Sequence, residues 1–176
     1  MDVQIRVAGI VKESIVDGPG IRYVVFAQGC RHNCPGCHNP QTHPFEGGTV
    51  INADEILQQI KSNPLLDGVT FSGGEPFEQA SAFAALAGEV TRLGLNIIVY
   101  TGYTYEYIRE NSSARAGWRE LLENADTLVD GPFIQELQNP LLRFRGSSNQ
   151  RIIDLKVQNG SPLYSSAVPN IIAAAL

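Results

Sequence analysis

Short apolar runs rich in Ile, Val, Phe and Tyr recur along the chain, and each is followed by a polar or glycine-rich turn. Such runs are typical of buried strands. The clearest covers residues 21–26 and leads through Gln28 and Gly29 into a cysteine-rich loop. A long loop is predicted from there to about Val50. The same pattern predicts further strands at residues 5–11, 68–71, 96–100, 127–129 and 151–155.

Apolar residues at helical spacing fill the segments between several of these strands. Asn52 is a predicted N-cap, because Glu55 follows three positions later and an apolar helical face begins just after it. A second helix is predicted over residues 76–93 and is ended by Gly94. A third helical region is predicted in two pieces that are separated near residues 112–113.

The alternation of strand, loop and helix, repeated about four times, predicts an α/β fold of parallel strands with covering helices. A complete eight-fold barrel needs about 250 residues, which is more than the 176 of this chain. We therefore expect an open, partial (β/α) barrel of mostly parallel strands. Residues 1–176 are interpreted as one domain, with a core over 14–155 and a loosely attached tail over 156–176.

Composition narrows the classes of function. Hydrophobic residues make up 43% of the chain and charged residues 18%, which is typical of a soluble globular protein. The net charge of -5 argues against nucleic acid or a membrane surface as a partner. The first residues lack the basic start and apolar run of a signal peptide. Together with an odd number of clustered cysteines, this predicts the reducing cytoplasm as the location.

All three cysteines of the chain, Cys30, Cys34 and Cys37, lie in one C-x3-C-x2-C loop. Thiolates are good ligands for soft metal ions and iron–sulfur clusters. A closed 4Fe-4S cubane normally takes four cysteines, so three leave one iron without a ligand from the chain. The count therefore favours a cluster whose open iron can bind and activate a small molecule.

The main alternative is a structural zinc site, in which His32, His38 or His43 completes the three thiolates. Ordinary buried thiols are less favoured, because Pro35-Gly36 and the polar residues around them are typical of a loop. The cysteine triplet alone favours the cluster over zinc and leaves both open.

Other polar turns follow the predicted strands and are expected to meet the cysteine loop at the carboxyl edge of the sheet. Residues 72–75, Ser-Gly-Gly-Glu, offer two glycines that let a ligand approach the backbone and a carboxylate that can accept from a cation. A plain turn before a helix that starts at Pro76 explains the same glycines. Asp17 and Asp130 each open an Asp-Gly-Pro turn, where aspartate is favoured for local hydrogen bonding.

The cysteine loop, followed later by Ser72-Gly73-Gly74-Glu75-Pro76, resembles the two motifs of the radical S-adenosylmethionine enzymes. The resemblance implies a 4Fe-4S cluster on the three cysteines, with the cosubstrate S-adenosylmethionine chelating the open iron. It also implies a set of residues that line the cosubstrate, namely Gly36, His38, Ser72, Gly73, Gly74 and Glu75.

A narrower resemblance covers residues 14–150. Residues 16–20, Val-Asp-Gly-Pro-Gly, are similar to the activating enzymes of glycyl-radical proteins. Three later segments resemble those enzymes of this group that activate anaerobic ribonucleoside-triphosphate reductases: residues 100–103, 129–133 and 145–150.

This resemblance implies that a reduced cluster cleaves S-adenosylmethionine and that the resulting radical takes a hydrogen atom from a glycine of the large reductase subunit. It implies a flavodoxin-type electron donor. Contact with the glycyl-radical partner is assigned to Asp17 and Asp130. Two alternatives remain, an activase of another glycyl-radical enzyme of the formate-lyase type and a zinc-binding interaction module.

Overall fold

A computed structural model describes residues 2–158 of the chain. These residues form seven strands, which are β1 (Gln4–Ser14), β2 (Arg22–Ala27), β3 (Thr49–Asn52), β4 (Gly68–Gly73), β5 (Asn96–Tyr100), β6 (Thr127–Asp130) and β7 (Arg151–Asp154). The helices are α1 (Ala53–Lys61), α2 (Ala80–Arg92), α3 (Tyr105–Asn111), α4 (Trp118–Asn124) and α5 (Leu155–Gln158). The tail expected over 156–176 lies outside the described residues from 159 onward.

All seven strands join one sheet in the order β3-β1-β2-β4-β5-β6-β7. The central strands β2, β4, β5 and β6 pair in parallel, with helices in the connections that lead into β4, β5 and β6. This confirms the α/β class. The pairs β1–β2, β1–β3 and β6–β7 are antiparallel, so the outer strands depart from the expected parallel arrangement. For β1 and β2 the reason is the short connection, because a parallel pair needs a crossover of a dozen or more residues.

Six of the seven strands lie at the predicted positions, and β3 was not predicted. Thr49–Asn52 pairs with β1 at the end of the sheet order. Its first two side chains are exposed and the next two are half-buried. A strand so exposed lacks the apolar alternation on which the prediction of the other strands depends, so this stretch resembles the end of a loop.

The helix starts follow from local hydrogen bonds. Oδ1 of Asn52 accepts from the N–H of Asp54 at 2.8 Å, which confirms the predicted N-cap. The segment predicted as one helix over 76–93 is a 3-10 turn, Pro76–Gln79, followed by α2. The break between α3 and α4 confirms the predicted two-piece region. No helix in residues 2–158 is long and apolar enough to span a membrane.

The main apolar core lies between one face of the sheet and the helices. It includes Tyr23, Val25 and Ala27 of β2, and the rings of Phe71 and Phe83 pack edge to face at 4.9 Å. This burial keeps the carboxyl ends of β2 and β4 side by side, and those ends lead into the cysteine loop and the Ser-Gly-Gly-Glu turn.

The opposite face of β2 carries Arg22, whose side chain is fully buried beneath the loop that precedes β2. Its Nε donates to Oγ1 of Thr70 at 2.6 Å, and the Thr70 hydroxyl donates to the backbone carbonyl of Asp17 at 2.9 Å. Burial lowers the pKa of Arg22 to about 10. The arginine thus fixes the loop that brings Asp17 to the edge of the site.

Candidate functional site

A cavity of about 390 Å³ opens where β2, β4 and β5 end. Such a volume lies in the range of small-molecule pockets. The cavity brings together most of the predicted site residues, because its wall includes Asp17, Cys30, Cys34, Cys37, His38, Ser72, Gly73 and Gly74. Gly36, Glu75 and Asp130 are not part of this wall.

The cysteine loop turns back on itself directly after β2. The N–H of Cys30 donates to the carbonyl of His43 at 3.0 Å, and that of Cys37 donates to the carbonyl of Cys34 at 3.1 Å. The N–H of Asn39 points at Sγ of Cys37 over 3.4 Å. The backbone of the loop is thus fixed by its own hydrogen bonds, and one backbone N–H reaches a sulfur atom.

The three thiols are free and half-buried. Burial raises the pKa of the Cys30 thiol to about 11, against a smaller opposing effect of backbone hydrogen bonds. A thiol of this kind becomes a thiolate when a metal cation compensates its charge. Three such thiols on one cavity wall fit an iron–sulfur cluster, in which separate irons take separate thiolates.

A zinc ion needs its ligands around one point. In the part of the chain from residue 2 to 158, no group of three or more His, Cys, Asp or Glu side chains is placed to hold a metal ion. Nε2 of His32 lies 2.9 Å from a carboxylate oxygen of Glu75, and Nε2 of His38 lies 3.3 Å from Nε2 of Gln138. Both histidines therefore already have protein partners, whereas Nε2 of the third candidate, His43, is buried without a hydrogen-bond partner.

The Gly73-Gly74-Glu75 turn is joined to the start of the cysteine loop by backbone hydrogen bonds. The N–H of Gly74 donates to the carbonyl of Ala27 at 2.8 Å, and the N–H of Glu75 donates to that of Gly29 at 2.9 Å. A Cβ on Gly74 would lie 2.5 Å from the Gly29 carbonyl oxygen. Glycine is therefore required at position 74 because the backbone of this turn lies against the backbone of the cysteine loop. The sequence had suggested a different reason, the close approach of a ligand.

Glu75 is fully buried behind the cavity wall. Its carboxylate accepts from the N–H of Gly102 at 2.8 Å, from the hydroxyl of Thr101 at 2.9 Å and from the N–H of Phe77 at 3.0 Å. With His32 at 2.9 Å, the carboxylate has four donors from the chain itself. Glu75 therefore holds the turns of the site together through hydrogen bonds and is not a free acceptor in the cavity.

The two predicted partner-binding aspartates lie in different surroundings. Asp17 lines the cavity and is half-buried, and the hydroxyl of Ser14 donates to its Oδ2 at 2.5 Å. Asp130 is 1% exposed. It pairs with Arg151 and accepts from the N–H of Tyr105 at 2.8 Å. Its buried carboxylate thus binds other groups of the chain and is not accessible to a partner protein.

A further part of the wall is made by Leu142, Phe144, Arg145, Gly146 and Gln150. The segment 145–150 was noted in the sequence for its family resemblance, but no place at the cavity was predicted for it. These residues follow a weak and polar stretch without helical or strand periodicity, so no pattern placed them next to the cysteines. The ring of His38 packs on Phe133 at 4.9 Å between ring centres. The long connection from β6 to β7 therefore closes the cavity on the side facing the cysteine loop.

The chain is similar to known proteins over most of its length. The profile of the 4Fe-4S single cluster domain family matches residues 16–153. The anaerobic ribonucleoside-triphosphate reductase-activating protein of Escherichia coli K12 is 34% identical over 151 residues, which cover 81% of this chain and 94% of that protein. The protein with the same description from Vibrio cholerae is 37% identical over 147 residues, which cover 78% and 90%.

A relative from another branch is the pyruvate formate-lyase-activating enzyme of Clostridium pasteurianum. It is 35% identical over 130 residues, which cover 70% of this chain and 50% of that enzyme. The α/β sheet, the three-cysteine cavity and these matches define an iron–sulfur protein of the radical S-adenosylmethionine class. The chain belongs to the family of anaerobic ribonucleoside-triphosphate reductase-activating proteins.

Proposed function

We propose that this chain holds a 4Fe-4S cluster on Cys30, Cys34 and Cys37 and uses it, with S-adenosylmethionine, to generate a glycyl radical. The target is a glycine on the large subunit of an anaerobic ribonucleoside-triphosphate reductase. One observation carries the proposal: the three thiols and the turn at Ser72, Gly73 and Gly74 line the same cavity. Family membership supplies the reaction class.

A reduced cluster held by Cys30, Cys34 and Cys37 would supply the one electron that cleaves a carbon–sulfur bond of S-adenosylmethionine, so that methionine is released and the adenosyl part can take a hydrogen atom from the glycine. The chain itself supplies position and exclusion of water. Ser72, Gly73 and Gly74 form one side of the cosubstrate cavity, and His38 lines the same cavity. Gly36 lies in the turn between Cys34 and Cys37 and is not among the lining residues. Glu75 holds that side in place through its bonds to the neighbouring turn.

The cavity must also admit a segment of another protein. We infer that the sheet curves as a partial barrel, open enough at the carboxyl edge for an extended glycine-bearing segment to reach the cosubstrate. Asp17 stands at this edge with Val16, whose side chain is 73% exposed. We assign contact with the partner segment to Asp17, and we withdraw Asp130 from that role because its carboxylate is buried against Arg151.

The reaction needs an electron from outside the chain. A flavodoxin-type protein is the donor that the family resemblance implies. Three free thiols on a cavity that opens to solvent require a reducing compartment, so we assign the protein to the cytoplasm.

The test mixes the reconstituted and reduced protein, S-adenosylmethionine and a purified glycyl-radical enzyme under anaerobic conditions, and measures electron paramagnetic resonance. We expect a glycyl-radical signal with the anaerobic reductase and none with pyruvate formate-lyase. A signal with the lyase alone would transfer the assignment to the other branch of activases, of which one relative shares 35% identity. Absence of cosubstrate cleavage with either enzyme would contradict the proposed function.

A further inference from the structure

Charge is unevenly distributed around the cavity. Among the described residues that form its wall, Arg145 is the one lysine or arginine and Asp17 is the one aspartate or glutamate. A guanidinium stays charged under all ordinary conditions. The wall therefore offers a ligand a single permanent positive charge, and it does so from the β6–β7 connection, which the proposed function has not used.

The side chain of Arg145 is held in place but is incompletely paired. Its Nη1 donates to the carbonyl of Gln150 at 3.0 Å. Its Nε is buried and has no hydrogen-bond partner. A buried donor without a partner costs free energy, and more so on a charged group. The buried Nε is shielded from the cavity, so a ligand at the wall would meet the permanent charge of Arg145 rather than this donor.

The surrounding loop is built to fix this side chain. Oε1 of Gln150 accepts from the N–H of Gly146 at 2.8 Å and from that of Ser147 at 3.2 Å, while Nε2 of Gln150 donates to the carbonyl of Gly131 at 3.0 Å. Phe144, directly before the arginine, has a φ of 57°. An aromatic residue rarely adopts this left-handed conformation, and such strain concentrates at ligand-binding sites.

The proposed cosubstrate carries two positive groups, a sulfonium and an ammonium, and one negative group, its carboxylate. A guanidinium repels the first two and binds the third through a charge-assisted hydrogen bond. We propose that Arg145 binds the carboxylate of S-adenosylmethionine and thereby sets which end of the cosubstrate lies against the β6–β7 connection. This inference rests on the proposed function and gives a role to Arg145, the first residue of the segment 145–150 that carries the narrower resemblance.

The experiment measures equilibrium binding to the cluster-loaded protein by anaerobic dialysis. The ligands are S-adenosylmethionine and its decarboxylated analogue, which keeps both positive groups and lacks the carboxylate. The variants are Arg145→Met and Arg145→Lys, with Arg143→Met as the matched control, because Arg143 lies in the same loop, is exposed and does not line the cavity. Iron content and the unfolding transition of each variant establish that it is folded and loaded.

We expect Arg145→Met to weaken binding of S-adenosylmethionine by about 10- to 100-fold and to leave binding of the decarboxylated analogue within about twofold of the unmodified chain. Arg145→Lys should lose less, since it keeps the charge, and Arg143→Met should change neither ligand. An equal loss for both ligands would overturn the assignment, because it would show a structural role. Unchanged binding of S-adenosylmethionine would overturn it too.

The outcome is separable from that of the proposed function. If the unmodified protein binds and cleaves S-adenosylmethionine while Arg145→Met shows no selective loss, the function stands and the carboxylate assignment fails. If the unmodified protein binds neither ligand, the function itself fails.

Discussion

Nε2 of His32 lies 2.9 Å from the fully buried carboxylate of Glu75, and this contact joins the cysteine loop to the turn after β4. His32 stands between the first two cysteines in the sequence, and Glu75 follows the two glycines. The same carboxylate oxygen accepts from the N–H of Gly102 at 2.8 Å. Three turns that follow three neighbouring parallel strands thus meet at one carboxylate. The cavity is held by this buried group as well as by the backbone.

Glu75→Gln should destabilise the fold and the site together. The glutamine side chain keeps one acceptor oxygen, but its NH2 group takes the place of the other. That NH2 group faces hydrogen-bond donors of the chain, so at least one buried N–H loses its acceptor. We expect the free energy of unfolding to fall by about 1–3 kcal/mol, measured by denaturant unfolding, and the reconstituted cluster to be lost faster. Glu123→Gln is the control, because Glu123 is exposed on α4. Equal free energies of unfolding for the two variants would show that the Glu75 hydrogen bonds do not stabilise the fold.

Gly74→Ala should disturb the turn by a clash of backbone with Cβ. The new Cβ would lie 2.5 Å from the carbonyl oxygen of Gly29 and 3.0 Å from that of Ala27. We expect a loss of about 1–3 kcal/mol in stability and weaker binding of S-adenosylmethionine, since the turn that lines the cavity must move.

Gly88→Ala provides the matched comparison. Gly88 lies inside α2, and a Cβ there would meet nothing nearer than 4.0 Å. Alanine is the better helix former, so we expect this variant to gain about 0.5–1 kcal/mol. If Gly74→Ala were as stable as Gly88→Ala, the close approach seen at the turn would not be required.

Cys34→Ser should remove the cluster and spare the fold. Cys34 lies in a loop outside the strand core, and its side chain is half-buried. We expect the free energy of unfolding of the cluster-free variant to stay within about 0.5 kcal/mol of the cluster-free parent. Iron analysis after anaerobic reconstitution should show loss of the intact cluster and, with it, of cosubstrate cleavage. Full cleavage by this variant would disprove the ligand role.

Replacement by asparagine should lower stability at Asp130 and lower the yield of glycyl radical at Asp17. Asp130→Asn weakens a pair in which Asp130 is buried and Arg151 is about half-exposed. We therefore expect a loss of about 1–3 kcal/mol, below that of a fully buried pair. Asp17→Asn should leave stability nearly unchanged and lower the yield of glycyl radical per S-adenosylmethionine cleaved. A normal radical yield from Asp17→Asn would remove Asp17 from the partner surface.

The sequence predicted the parts of the site that follow buried strands. Residues 21–26 and 68–71 have strong apolar runs, so the loops after them could be placed side by side at one edge of the sheet. Asn52 was recognisable as a cap because Glu55 and the start of the apolar helical face follow it within a few residues of the chain. Predictions of this kind depend on local spacing, which a single sequence records directly.

The parts that were missed depend on contacts between distant segments. Glu75 was expected to face the cavity, but it turns toward Thr101 and His32, which lie 26 and 43 residues away. The edge strand β3 has too few buried side chains to give the apolar pattern by which a strand is recognised in a sequence. Arg145 and Gln150 lie in a segment that only the family resemblance singled out. Their place on the cavity wall depends on a loop that Gln150 folds with its amide group, and no local pattern indicates such a fold.

The central claim is that three thiolates hold a 4Fe-4S cluster and that S-adenosylmethionine completes it. The most direct measurement is the iron, sulfide and zinc content of protein reconstituted without oxygen, together with the electron paramagnetic resonance spectrum of the reduced form before and after addition of S-adenosylmethionine. We predict about four irons and four sulfides per chain and a spectrum that changes when the cosubstrate is added. Stoichiometric zinc without iron, or a cluster spectrum that does not respond to S-adenosylmethionine, would contradict the account.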